Sequence, residues 1–450
     1  MLRFMRVAGR PLERFLRIEA ASGVLLMLAA AAALVWANSP WADGYAHLWH
    51  TPVGIKLGAL TFERPLEWVV NDGLMVIFFF VVGLEIRREI HEGELSEWRR
   101  ASLPAAAALG GMLAPAGLYL LFAGHGETRA GWGIPMATDI AFAAGILTLL
   151  GKRVPAALRV LLLALAVIDD LGAIIVIAVF YSAGIAWDGL LIAAIGFGGI
   201  VLMQRLGVRL KLAYVVPAVI AWAGVYRAGV HPTIAGVIVG LMTPVRAWLG
   251  TEGFVAGMRH ELKQVESVPP GSISGHSLAG VLQHVDATRR EAMSPAEALI
   301  QSLHPWVAFG IMPVFALANA GVVLEGTPTG VSLSAAAGIT VGLVVGKPLG
   351  VLVACALTLK LGLARLPTGI GMRELVLLGM VAGVGFTMSL FVAQLAFPGS
   401  ALLGPAKLAV LVASGVAGTL AFGIGRLLLP ATASADCAPT ADEAEASTEL

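Results

Sequence analysis

Two adjacent aspartates, Asp169 and Asp170, stand in the middle of Leu161 to Phe180, LLLALAVIDDLGAIIVIAVF, an otherwise apolar run. About twenty apolar residues is the length that spans a bilayer. A carboxylate at the centre of such a helix opposes insertion by about 2.5–3.5 kcal/mol, so the pair opposes it by about 5–7 kcal/mol. An intramembrane acid kept against that penalty reads as part of an ion or proton path, unless a partner charge makes it a buried structural pair. Adjacent helical residues point about 100° apart, so one carboxylate can line a wet cavity while the other meets a different helix. In a low dielectric the two cannot both ionise freely, and their titrations are coupled. That coupling suits a site occupied in turn by protons and by a cation.

Other polar residues lie in apolar surroundings. In IPMATDIAFAAGIL, Asp139 follows Thr138 and is bracketed by Pro135 and Gly145. Helix breakers beside an acid predict an unwound segment, tolerated where the backbone lines a cavity or is buried in protein; the alternative is a capping aspartate. LLGMVAGVGFTMSLFVA carries Gly379, Gly383 and Gly385 ahead of Thr387 and Ser389. Gly-rich membrane helices usually pack closely, but paired with the Asp139 segment this one reads as a second broken helix, the mark of a transporter site. Lys347, in VGLVVGKPLGVLVACALTL, is read as the only lysine deep within an apolar span. Its ammonium needs an anion, which the aspartates supply; counter-ion and proton carrier are both open roles, because a buried Lys shifts its pKa readily. Glu85, Arg88 and Glu89 share a helix face near one end of their span, either as a solvated helix end or as an acid-lined funnel that gathers cations. Asp72 reads as structural, His231 as a turn residue and Asn319 as interhelical glue.

These groups need a membrane to sit in. The 450 residues are 58% hydrophobic and 13% charged, with mean hydropathy +0.85, which defines an all-α polytopic membrane protein. A net charge of +1 gives no reason to expect nucleic acid. Cys355 and Cys437 are too far apart in character and position to pair, and Cys and His show no metal-ligand spacing.

Twelve apolar runs are candidate spans: 18–37, 66–87, 101–123, 133–151, 155–182, 187–205, 211–228, 230–245, 304–322, 333–357, 374–397 and 404–428. With both termini cytoplasmic, the inner side holds Arg3, Arg6, Arg10, Arg14 and Arg17, then Arg87, Arg88, Arg99, Arg100, Lys152, Arg153, Arg205, Arg209 and Lys211, and later Lys360, Arg365, Arg373 and Arg426. The outer side keeps Lys56, Arg64, Arg129 and Arg227, an asymmetry that follows the positive-inside rule. The N-terminus mimics a secretory signal but reads as an uncleaved first span, because further spans follow. Residues 45–65 make either a small external hairpin or a plain loop. Residues 1–430 are expected to form one transmembrane domain, interrupted by a charged cytoplasmic loop at 246–303. Within that loop Ser294, Pro295 and Glu297 form a capping box that starts a helix leading into the ninth span. The acidic tail 431–450 is expected to be disordered.

Taken together, Thr138–Asp139, ALAVIDDLGAIIVIA and GKPLG make the chain closely resemble the NhaA-type bacterial Na+/H+ antiporters. VNDGLMVIFFFVVGLEIRRE, HPTIAGVIVG, LHPWVAFGIMPVFALANAG and GVGFTMSLFVAQLAF extend the match from about Phe15 to Arg426. The resemblance implies about twelve helices in inverted repeats, with the fourth and eleventh broken and crossing near the midplane. It implies that Asp139 and Lys347 balance half-helix ends and that Asp170 with Asp169 takes the Na+, Asp169 also pairing with Lys347. It further implies that Glu85, Arg88 and Glu89 form the inner, pH-responsive funnel, and that the 45–65 hairpin joins a homodimer. No cofactor is expected; Na+ or Li+ and H+ are cargo, and the bacterial inner membrane is the location. The chain departs from the family at EALIQSLHPW, where Ile300 and Gln301 occupy positions at which the family tends to carry a pH-linked acid and a neighbouring His.

The expected activity is electrogenic exchange of cytoplasmic Na+ or Li+ for external protons. A proton- or sodium-coupled symporter of a small solute would favour a roomier polar or aromatic cavity. An intramembrane aspartyl protease would resemble Gly-x-Gly-Asp, yet this chain has no Gly-Asp dipeptide, and its two acids adjoin on one helix.

Overall fold

The computed structural model describes residues 21–57, 60–182, 184–247, 249–266, 285, 291–323 and 330–430. The 431–450 tail and the middle of the 246–303 loop lie outside the described residues. All twelve predicted spans coincide with helices. The first, α1 (Ala21–Ala37), turns by 114° into α2 (Ala42–His50), and β1 (Pro52–Leu57) pairs antiparallel with β2 (Leu60–Pro65). Of the two readings of residues 45–65, the hairpin is therefore the one that forms. There follow α3 (Leu66–Glu92) and α4 (Trp98–Ala123), then a 3-10 helix (Gly126–Met136) that continues into α5 (Ile140–Leu149). Next come α6 (Ala156–Phe180), α7 (Trp187–Arg205), α8 (Val215–Arg227), α9 (Thr233–Met242) and α10 (Thr251–Glu266), the last inside the predicted loop. The chain ends with α11 (Pro295–Asn319), α12 (Gly330–Lys360), α13 (Met372–Ala382), α14 (Phe386–Ala396) and α15 (Leu403–Leu428).

Seven of these helices are long and apolar enough to cross a bilayer, and three bent pairs raise the number to ten. At the other two predicted positions α8 has 13 residues and α9 has 10. At 1.5 Å per residue, α9 covers only about 15 Å, half a hydrocarbon core. The protein is thus a multi-pass membrane protein, whose lipid-facing side chains, such as Leu113, Leu121, Val179 and Leu191, stay exposed while its core is sealed.

Two local features position the site. First, α11 and α12 each contain a widened π turn, Val307–Ile311 and Gly342–Gly346. Each turn holds the carbonyl four residues before a proline, Phe309 before Pro313 and Val344 before Pro348. Proline has no N–H to offer that carbonyl, so the helix loosens there. Lys347 follows directly on the second turn. Second, α12 lies against α4 where Gly110 meets Gly350: a Cβ on either residue would come within 2.8 Å of the other's carbonyl carbon. Only glycine at both positions allows so close a crossing.

A site at the crossing of two broken helices

The bend between the 3-10 helix and α5 is 46°, and that between α13 and α14 is 43°. The two breaks touch. Asp139 donates its backbone N–H to Val384 O at 2.8 Å, Thr138 Oγ1 donates to Ala382 O at 3.1 Å, and Ser389 Oγ donates to Ile134 O at 2.8 Å. Four half-helix ends therefore meet inside the protein, where each would otherwise carry unsatisfied polar groups and half a unit of dipole charge. Asp139 serves two of them. Its Oδ1 accepts the Phe142 N–H at 3.0 Å, capping α5, and its Oδ2 accepts the Thr387 N–H at 3.1 Å and the Thr387 hydroxyl at the start of α14. A carboxylate at two helix N-termini is the favourable sign of charge. At the opposite polarity, Lys347 Nζ donates to Met136 O, at the C-terminal end of the 3-10 helix.

Lys347 is fully buried and also forms an ion pair with Asp169, Nζ to Oδ2 2.8 Å. This is the partner that the lysine's depth demanded. Asp169 lies beside Thr138, yet its Oδ1 is buried without a well-formed hydrogen bond. Asp170, the next residue on α6, points elsewhere, as the 100° step requires. It is 3% exposed and makes no side-chain hydrogen bond or ion pair among the described residues. It stands within electrostatic reach of Asp169, Glu85, Lys347 and Asp139. The two aspartates lie roughly 20 Å from one end of α6 and 15 Å from the other, so they sit near mid-span.

A cavity of about 60 Å³ runs from Glu85 and His304 at one end to Asp170, Asp139, Thr138 and Thr387 at the other. Asp170, whose oxygens show no hydrogen-bond partner among the described residues, lines this cavity, and the adjacent Asp169 keeps its Oδ1 buried without a well-formed hydrogen bond. Hard monovalent cations take oxygen ligands, and carboxylates with a hydroxyl and water supply them. Among the described residues no group of three or more His, Cys, Asp and Glu side chains forms a resident metal site.

Glu85, Arg88 and Glu89 lie within electrostatic reach of one another near the end of α3, but each has its own contacts. Glu85 lines the cavity, Arg88 Nη1 reaches across to Glu297 Oε2 on α11 at 3.4 Å, and Glu89 Oε1 accepts the Glu94 N–H at 3.2 Å beyond the end of α3. The Ser294 cap forms, Ser294 Oγ accepting the Glu297 N–H at 3.2 Å with Pro295 at the first position. Glu297, however, spends its carboxylate on Arg88 and on Gln301 Nε2 at 3.0 Å. Ile300 is buried in a small apolar cluster with Leu84, Val245 and Ala296.

Sequence reasoning singled out neither Glu297 as the partner of Arg88 nor His304 as a cavity residue, and only the helix-start pattern around Glu297 hinted at the first. It also missed a second buried lysine, Lys407 on α15, which is 8% exposed and donates to Asn319 Oδ1 at 3.4 Å. Asn319 in turn donates to Asn71 Oδ1 at 2.7 Å, joining helices as expected of it. Asp72, read as structural, and His231, read as a turn residue, form a pair at 3.3 Å.

A family profile described as Na+/H+ antiporter 1 matches residues 13–424. A protein of Myxococcus xanthus (strain DK1622), named Na(+)/H(+) antiporter NhaA 2, is 68% identical over 451 residues, covering 100% of this chain and 96% of the relative. A protein of the same name from Sorangium cellulosum (strain So ce56) is 55% identical, covering 99% of this chain and 96% of the relative. A Na(+)/H(+) antiporter NhaA of Janthinobacterium sp. (strain Marseille) is 49% identical, with 92% of each chain covered. With the crossing of two broken helices and near-complete coverage by such relatives, the chain belongs to the Na+/H+ antiporter 1 family.

Proposed function

We propose that this chain is an electrogenic antiporter of the bacterial inner membrane that exports cytoplasmic Na+ or Li+ in exchange for external protons. The observation that carries the proposal is Asp170: a buried carboxylate with no hydrogen-bond or ion-pair partner among the described residues, lining a cavity, beside an aspartate already held by Lys347. Protons and Na+ compete for its oxygens and for Oδ1 of Asp169. Protonation expels the ion, and deprotonation recruits the next. Two carboxylates and Lys347 can between them release more than one proton per Na+ bound, which is the condition for electrogenic exchange. Net charge then moves inward in each cycle, and the membrane potential drives export by about 2.3 kcal/mol per charge per 100 mV.

The Glu85 end of the cavity faces the cytoplasm, because Arg87, Arg88, Arg99, Arg100, Lys152 and Arg153 gather there; both termini lie on that side. Glu85, Arg88 and Glu89 form the pH-responsive mouth. With Ile300 packed away, Glu297 supplies the acid that α11 brings to it, facing Arg88, Glu85 and Glu89 from α3 and His304 and Gln301 on its own helix. The β1–β2 hairpin joins two copies.

A symporter of an organic solute does not fit. A cavity of about 60 Å³ admits an ion and a few waters, since one water needs roughly 10–15 Å³ on this measure. The test is Asp170→Asn in everted vesicles. Na+-dependent dequenching of a pH dye is expected to vanish; exchange at the ordinary rate rejects the assignment.

A further inference from the structure

A second cavity, of about 190 Å³, is lined by Glu67, Asn71, Asp72, His231, Gln394 and Phe391. It lies on the face assigned above to the outside. Three helices contribute to what separates it from the inner cavity. On α3 the outer cavity reaches Asp72 and the inner one begins at Phe78; Met75, fully buried, lies between, and Phe79, also buried, adjoins Phe78 without lining either cavity. On α14 the inner cavity reaches Thr387 and Met388, and the outer one begins one turn further on, at Phe391, and continues to Gln394. On α11 the inner cavity ends at Met312, and Asn319 belongs to the polar cluster with Asn71; Phe315 stands between them. The three phenylalanines meet. Ring centroids are 5.3 Å apart for Phe79 and Phe391 and 6.1 Å for Phe315 and Phe391. The imidazole of His231 sits edge-on to Phe391 at 5.4 Å.

The septum is one side chain thick. Phe391 itself lines the outer cavity, while Met388, a single turn of about 5 Å away, lines the inner one. A dry aromatic layer of this kind blocks a hydrated ion by dewetting. Phe391 also sits on the one element of the three that starts at a break. Its half-helix α14 begins after Gly383-Val384-Gly385, where a change of backbone angle disturbs no continuous helix.

We propose that Phe391, closed against Phe79 and Phe315, is the outer gate of the ion path, and that it opens when α14 tilts about the 383–385 break. This deepens the antiport reading and rests on it for the direction of transport, but its test does not require exchange. The full chain would carry Cys355→Ala, Cys437→Ala and Met388→Cys. A membrane-impermeant methanethiosulfonate cation is added outside right-side-out vesicles or, in parallel, to the cytoplasmic face of everted ones. Adding Phe391→Ala should raise the outside labelling rate about tenfold by removing the apolar barrier, while inside labelling stays within about twofold. Unchanged outside labelling with inside labelling intact overturns the proposal. Should Phe391→Ala lose inside labelling, and with it the fold, Phe391→Leu carries the same test. A rise of about threefold is then expected from the lost ring, and no rise overturns the gate. Because labelling needs no Na+ or proton exchange, failure here is distinct from failure of the Asp170 assignment.

Discussion

Replacing Lys347 tests the central arrangement of charge. Its ammonium is the donor to Asp169 Oδ2 at 2.8 Å and to Met136 O, and neither acceptor has solvent to turn to. Lys347→Met keeps the apolar stem and removes the charge. It strands Asp169, whose Oδ1 already lacks a well-formed hydrogen bond, and breaking one side of a buried pair costs about 3–5 kcal/mol. Lys347→Ala also removes three methylenes, about 2 kcal/mol more at roughly 0.8 kcal/mol each. The expected order of stability is unmodified protein, Lys347→Met, then Lys347→Ala. Adding Asp169→Asn to Lys347→Met removes the stranded charge, so the double variant should be no less stable than the single one. The assay is unfolding of the purified full chain in mild detergent, followed by tryptophan fluorescence, with exchange measured in parallel. A Lys347→Met protein within about 1 kcal/mol of the parent would refute the reasoning, because breaking a buried pair must cost more than that. Additive losses in the double variant would refute it too. Surviving exchange in a destabilised Lys347→Met protein would assign the lysine the counter-ion role and take the proton-carrier role from it.

Two further outcomes are expected. Glu297→Gln removes a charge from a half-exposed pair with Arg88, so it should change stability by less than about 1 kcal/mol yet move the pH at which exchange turns on. An unchanged pH profile in vesicles would remove Glu297 from the mouth. Replacing Pro52–Pro65 with a short Gly-Ser connection should convert dimers to monomers on mass measurement in detergent. Persistence of the dimer would place the interface elsewhere.

What could be read from the residues alone was whatever depends on the solvent. Apolar run length, the side bias of Arg and Lys, and the penalty on Asp139, Asp169, Asp170 and Lys347 in hydrocarbon are properties of a helix against a bilayer, so they are written locally. The two breaks were legible for the same reason, since Pro135, Gly383 and Gly385 interrupt a helix wherever it packs. Partnership was not legible. That Asp139 serves α5 and α14 together, that Lys347 chooses Asp169 over Asp170, and that Arg88 meets Glu297 are facts about residues 178 to 248 positions apart, or on separate helices. The depth of Lys407 and the alignment of Phe79, Phe315 and Phe391 into one layer are of the same kind. Each depends on where one helix stops relative to another, and crossings set by Gly110 against Gly350 decide that only once the chain is packed.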